Sequence, residues 1–387
     1  MIGACSGSSS VATSSPDTSS TGPELVVATT PTAVPSPAKV APSSSVSAPH
    51  TSTTTTPPTT TTIATTTTRA PVRWRLLAGG DVLMDQTEPA GLDPFALLQP
   101  ALAEAEVAIV NVEMAISDVG SAVPGKEFVF RAPPAAAERI AAAGIDVASL
   151  GNNHARDFGP DALLDTVARL RAAGVHPVGA GADLTEAWTP AVLAVGDLSV
   201  AVLAATEVEP SGFRASADHP GVAVVKGDED IDMLRTAVAE AAAAFDVVLF
   251  VVHWGIERDT CPSEERQVRY ARAALEAGAS AVIGSHPHVL QPLAVDADAG
   301  TAVAYSLGNF VWHPRSGITG ETGVLELVFE DDRVVEARVH PHLLNGDGIP
   351  APASEGDRVD RINQIVGGDC SRHDPPEVPP PAVPPPD

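Results

Sequence analysis

From residue 73 onward, short apolar runs alternate with stretches whose apolar positions recur every three or four residues. That alternation predicts strands interleaved with amphipathic helices, an α/β class. Residues 73–78 (RWRLLA) read as the first strand, followed by an Ala/Leu-rich helix over 95–106 and a compact buried strand over 107–110. A helix over 134–143 stops at Gly144 and leads into a strand over 147–150. The helix over 160–173 opens on Pro160 and ends before Gly174, the punctuation expected of a well-bounded helix. Residues 191–195 and 198–204 flank Gly196-Asp197 and predict a hairpin. A helix over 230–244 precedes 246–252 (DVVLFVV), so uniformly apolar that it reads as a central strand covered on both faces. A helix over 263–277, a strand over 280–283, and strands over 302–306, 323–329 and 334–340 complete the pattern. Early alternation followed by hairpin pairs predicts mixed rather than purely parallel sheets.

The two ends break the pattern. From residue 6 to about 68 the chain is almost wholly Ser, Thr, Pro, Ala and Val, with too little large apolar surface to offset the entropy of ordering it. Residues 1–70 therefore read as a disordered stalk, and 346–387 as a C-terminal segment ending in a Pro-rich tail. The domain lies over 71–345, roughly 300 residues or slightly fewer, enough to bury a substantial core.

A net charge of −26 argues against nucleic acid as a partner, because no Lys/Arg patch offsets it. The chain has no apolar run long enough to span a bilayer. Ile2-Gly3-Ala4-Cys5 looks like the end of a bacterial lipoprotein signal. That likeness predicts lipidation at Cys5, with the hydrophobic part of the signal upstream of Met1 and the membrane reached by lipid anchor only. The competing reading makes Met1 the true start and Cys5 an incidental thiol. In an oxidising envelope the remaining cysteines, Cys261 and Cys370, would pair as a disulfide.

Polar residues able to bind metal follow the apolar strands repeatedly. Asp81 follows the first; Asn111 and Glu113 follow 107–110; Asn152, Asn153 and His154 follow 147–150. His253 follows 246–252, and His286 and His288 follow 280–283. Singly, these read as turn residues or hydrogen-bonded scaffold. Together they predict one site, since strand ends in an α/β sheet converge on one edge. Oxygen and imidazole donors without thiolate suit one or two divalent ions of Mn, Fe or Zn. A carboxylate such as Glu113 can bridge two ions about 3.5–4 Å apart.

The ordered motifs GGDVLMD (79–85), NVE (111–113), GNNHARDFG (151–159), HWGIE (253–257), GSHPHV (284–289) and SLGNF (306–310) resemble CapA, the poly-γ-glutamate capsule-synthesis family. That family looks like a branch of the calcineurin-like metallophosphoesterases. The resemblance implies a four-layer αββα sandwich with the site at the strand ends. It implies that Asp81 and His288 hold a first metal, that Glu113 bridges, and that Asn153, His253 and His286 hold a second. His154 is then the non-ligand histidine that contacts phosphate or protonates a leaving group, with Asp157 orienting it. Trp254, Glu257 and Asn309 line or close the pocket. Two positions depart from the superfamily pattern: Leu83 stands where a histidine is usual, and Glu113 replaces an aspartate.

The implied function is a metal-dependent, phosphoesterase-type hydrolase of the cell envelope, on the outer face of the membrane. It would act on an envelope polymer or phosphorylated substrate beside membrane-bound capsule synthesis proteins. Leu83 keeps open a second reading, a non-catalytic tethered accessory with a degenerate metal site.

Overall fold

A computed structural model of the chain describes residues 70–370 apart from residue 89. Cys5, the Ser/Thr/Pro-rich stalk and the Pro-rich tail lie outside the described residues.

The first sheet is built from β1 (Arg73–Val82), β2 (Val107–Val112), β3 (Val147–Ser149) and β4 (His176–Val178), all parallel. The second sheet contains β5 (Ala191–Val195), β6 (Leu198–Thr206), β7 (Val247–His253), β8 (Ala281–Ser285), β9 (Leu293–Asp296) and β10 (Thr301–Ala304). The chain then returns to the first sheet as β11 (Asn309–Val311), β12 (Glu321–Glu330), β13 (Arg333–Leu344) and β14 (Pro350–Pro352). The first sheet runs β14-β13-β12-β1-β2-β3-β4, with β11 paired to the end of β1, and the second runs β9-β10-β8-β7-β6-β5. Parallel strands form the centres and the β4 edge, and antiparallel hairpins form the other edges, giving the mixed sheets that the pattern predicts.

Period-two alternation divides the apolar side chains into layers. Trp74, Leu76 and Ile109 of the first sheet share one buried cluster with Val202, Leu249 and Ile283 of the second. The opposite face of the first sheet, including Ala108 and Val110, packs on α2 (Ala135–Ala142) and α3 (Pro160–Ala173); α1 (Gln99–Glu104) joins the same cluster. The outer face of the second, including Val248 and Phe250, packs on α4 (Asp228–Ala244) and α5 (Arg269–Glu276). The architecture is a four-layer αββα sandwich.

Three elements differ from the sequence expectation. The helix predicted over 95–106 is confined to Gln99–Glu104. A start at residue 95 would put Pro100, which lacks an N–H, inside the helix, whereas at the first turn it is tolerated. The helix predicted over 263–277 is a π-turn, Glu264–Val268, followed by α5. The widened turn lets Gln267 reach inward, where its Nε2 donates to Gln291 Oε1 at 2.6 Å. Past residue 345 the chain still belongs to the fold, contributing β14 and the helix α6 (Asp357–Val366). Ile362 and Ile365 of α6 pack on Leu290.

At residues 79–80 the end of β1 runs so close to its neighbours that side chains are excluded. A Cβ on Gly80 would enter the carbonyl oxygen of Gly308, which is backbone and cannot rotate aside. Gly80→Ala is expected to cost about 1–3 kcal/mol, the usual range for overpacking. A urea midpoint unchanged from wild type would count against this close approach.

Candidate metal centre

The carboxyl ends of the parallel strands in both sheets bring the polar groups together. Asp81 pairs in register with Asn111 and Asn309, Asn111 with Ser149, and His253 with Ser285. Four of the converging side chains, Asp81, Glu113, His253 and His286, are buried, and His288 is partly so. Their ligand atoms fall into two groups sharing one carboxylate: Asp81, Glu113 and His288, and Glu113, His253 and His286.

Glu113 is the anomaly at the middle. It is fully buried, and neither carboxylate oxygen has a hydrogen-bond partner. Imidazole nitrogens of His253, His154 and His288 stand 3.5, 3.8 and 3.9 Å from Oε1. Burial first, then Asp81 beside it, pushes the Glu113 pKa well up; Glu257 adds to this and Lys126 opposes it. A buried carboxylate without a donor is costly. A cation answers that cost, so the donor set fits a divalent metal.

Around His253 the same logic holds. Nε2 faces Asn153 Oδ1 at 2.8 Å and His286 Nδ1 at 3.1 Å, a convergence of acceptor atoms. Nδ1 lies 3.0 Å from the Ser285 hydroxyl and 3.2 Å from the Asn111 amide nitrogen, so the ring is held at Nδ1 while Nε2 is directed inward. Burial, then His286, His288 and His154, depresses the His253 pKa strongly. His286 is likewise depressed, by burial and then His288. Neutral imidazoles are the ligand form. Both His286 and His288 have positive φ, 96° and 57°. Strain of that kind persists only where surroundings enforce it. Here the His286 N–H reaches Asp81 Oδ2 at 3.3 Å, and Asn309 holds His288 at Nδ1 (2.9 Å) and at its carbonyl (3.2 Å).

His154 lies beside the two groups. Its Nδ1 is 2.6 Å from Asp157 Oδ2, which also accepts from Phe130 N at 2.7 Å. The pattern assigns the proton to Nδ1, so Nε2 is the atom facing Glu113. Burial lowers the His154 pKa, and Asp157 opposes the shift.

Other predicted site residues serve as supports. Asn111 donates to Asp81 Oδ1 at 2.8 Å, and Asn152 links Asn111 Oδ1, the Val112 carbonyl and the His154 N–H. Trp254 is buried with its indole N–H on the Tyr305 carbonyl, and Glu257 is exposed, acting on Glu113 through charge. Leu83 packs in the apolar layer with Met84 and Phe95, outside both ligand groups. Asp85, four residues beyond Asp81, is outside them too; it pairs with His313 Nε2 at 2.9 and 3.0 Å.

Several neighbours escaped the strand-end rule: Lys126, Phe130, Trp312 and His313. Phe130 stacks on His154 with centroids 4.3 Å apart, and Trp312 lies against His288 at 4.7 Å. Phe130 and Trp312 meet edge to face, which makes a continuous aromatic wall. The distant disulfide Cys261–Cys370 has Cα atoms 5.1 Å apart.

Comparison with known proteins places the chain in a family. The chain is 29% identical over 284 residues to the PGA biosynthesis protein CapA of Bacillus subtilis (strain 168), covering 71% of this chain and 73% of that protein. It is 30% identical over 230 residues to the capsule biosynthesis protein CapA of Bacillus anthracis, covering 59% of this chain but only 55% of that protein. A solved structure described as a novel phosphatase, from Mycoplasma pneumoniae, aligns over 70% of this chain and 94% of its own, with TM-score 0.45 and 12% identity. The family model described as bacterial capsule synthesis protein PGA_cap matches residues 75–314, more than half of the chain. The chain belongs to the bacterial capsule synthesis protein family PGA_cap.

Proposed function

We propose that this capsule-family protein carries a two-cation, phosphoesterase-type site acting in the synthesis or export of an anionic envelope polymer, poly-γ-glutamate being the candidate that the sequence resemblance implies and that the relative named a PGA biosynthesis protein supports. The observation that carries the reading is Glu113, buried and without a donor where the two ligand groups meet.

In this reading Asp81, Glu113 and His288 hold one ion, and Glu113, Asn153, His253 and His286 the other. Bound divalent ions supply Lewis-acid polarisation of a phosphoryl oxygen and activation of water. The protein's own groups do the rest. Ser285 and Asn111 hold the His253 ring at Nδ1, and Asn309 holds the His288 ring. Asp157 holds the Nδ1 proton of His154 and would stabilise the imidazolium, so that Nε2, once it has taken a proton from water, could pass that proton to a leaving oxygen. Phe130 and Trp312 shield one side of these imidazoles from water.

A location on the outer face of the envelope, anchored through Cys5 beside membrane-bound synthesis proteins, fits the same role. Among the described residues no helix is long and apolar enough to cross a membrane. The second reading, a non-catalytic accessory, is favoured by Leu83: its place in the core leaves the first ion three protein ligands.

Metal analysis paired with hydrolysis of p-nitrophenyl phosphate and bis-p-nitrophenyl phosphate in Mn²⁺ tests both. The expected result is two metal equivalents and turnover. His253→Ala should lower that turnover by more than about a hundredfold, since even outer partners of metal ligands are worth about 10–100-fold. Metal without turnover on either ester favours the accessory. No bound metal would remove the site reading altogether.

A further inference from the structure

The loop between β2 and α2 delivers a cation to this cluster of acids and imidazoles. Lys126 forms an ion pair with Asp157, and its Nζ lies 2.9 Å from His154 Nδ1, with 16% of the side chain exposed. Asp157 already takes the Nδ1 proton of His154, so that nitrogen has no lone pair to offer the ammonium. An ammonium carries three donors. Asp157 accepts one, and with the proton on His154 Nδ1 the other two are left for water or a bound anion. Phe213 lies 5.7 Å from Nζ, so an aromatic face rather than a second carboxylate lines that side. The partly exposed ammonium thus sits beside His154 with donor capacity beyond its pair with Asp157. Burial lowers the Lys126 pKa, while Asp157 and then Glu113 support its charge, consistent with an ammonium close to the bridging carboxylate.

We propose that Lys126 binds substrate, donating its two remaining N–H groups to an anionic oxygen of the group held beside His154. The inference rests on the metal-site reading above and extends it to a residue outside the ligand set. The shared ligand chemistry is an oxyanion, which could be phosphoryl or a side-chain carboxylate of an acidic polymer.

The test is equilibrium binding rather than turnover. Inorganic phosphate and, separately, glutarate are titrated into the Mn²⁺-loaded full chain for wild type, Lys126→Met and Lys126→Arg. Metal content and melting temperature are measured on each. Loss of a charge-assisted hydrogen bond should weaken binding in Lys126→Met by about ten- to a hundredfold. Lys126→Arg should restore most of it, and Mn²⁺ content should hold in both. An effect confined to phosphate assigns a phosphoryl group; one confined to glutarate assigns a carboxylate. Lys126→Met binding both probes like wild type overturns the proposal. So does equal loss in both variants alongside lost Mn²⁺ or a collapsed melting temperature, which would mark a purely structural prop. Wild type that takes up Mn²⁺ but binds neither probe sinks this inference and leaves the metal site standing. Wild type that takes up no Mn²⁺ removes the metal reading, and this one with it.

Discussion

Glu113→Gln is expected to abolish two-ion binding and turnover while making the metal-free protein more stable than wild type. Both effects come from one fact: the carboxylate is buried with no donor on either oxygen. Without metal that charge is a cost of a few kcal/mol, about the penalty for an unpaired buried ionic group. Gln removes the charge at nearly constant volume. With metal the sign reverses, because the bridging ligand is lost. The pH dependence follows from the directions of the shifts. The folded pKa of Glu113 is raised, so its contribution is fully present below the unfolded carboxyl value of about 4.3. It is lost as pH rises through the folded value. His253 and His286 are depressed. Their contribution is present above the unfolded imidazole value of about 6.5 and lost as pH falls through their folded values. Metal needs Glu113 ionised and both imidazoles neutral, so affinity should rise with pH and binding should release protons. Melting curves from pH 5 to 9 in EDTA and in Mn²⁺ read all of this. Chelated wild type should lose stability on the alkaline side relative to Glu113→Gln. Saturating metal at a hundred times Kd should restore about 2.7 kcal/mol per site. If Glu113→Gln melts lower than wild type in EDTA and still binds two equivalents, the bridging role is wrong.

Much of the centre could be read from placement alone. Asp81, Glu113, His253, His286 and His288 each follow an apolar strand, and parallel strands in both sheets deliver their carboxyl ends to one edge. The order of motifs carried the family. What escaped has a common cause, the absence of periodicity in loops. Lys126 sits thirteen residues beyond Glu113 in a Gly/Pro-bearing connection, preceded there by a strand of only two residues, Ala115–Ile116. His313 follows β11, a strand of only three residues that periodicity cannot resolve. Which way Leu83 and Asp85 turn was equally hidden, because alternation breaks where β1 ends. Leu83 enters the core and Asp85 meets His313. β4 and β14 contain prolines that argue against a strand, and both lie at sheet edges, where proline is tolerated. The helix α6 was lost for another reason: the Pro-rich composition beyond it coloured the whole segment after residue 345.

Removing the Cys261–Cys370 cross-link, by Cys261→Ser with Cys370→Ser, should lower stability by about 2–5 kcal/mol, the range for native disulfides. The bridge closes a sequence separation of 109 residues, and a loop of about 100 residues corresponds to about 4.7 kcal/mol in the chain-entropy account. Its position also reaches the metal centre. Cys261 ends the loop that leaves β7 at His253, and in that loop the Arg258 N–H donates to the Pro287 carbonyl at 2.7 Å, between His286 and His288. The Asp259 carbonyl accepts from Gln291 Nε2 at 2.7 Å. At the other end, Cys370 follows α6, whose Arg358 and Arg361 grip the buried Glu321 through Nε at 3.0 and 2.9 Å. The cross-link thus ties a well-anchored helix to the backbone that carries two imidazoles of the candidate metal centre. Because the Arg258 and Gln291 contacts remain without it, Mn²⁺ affinity should fall only modestly, within about the tenfold lower bound typical of outer-shell changes. Urea unfolding and Mn²⁺ titration of the double variant, both under non-reducing conditions, separate the two effects. A midpoint equal to wild type would make the bridge dispensable, whereas an Mn²⁺ affinity lost outright would mean that these two contacts cannot hold the ligand loop alone.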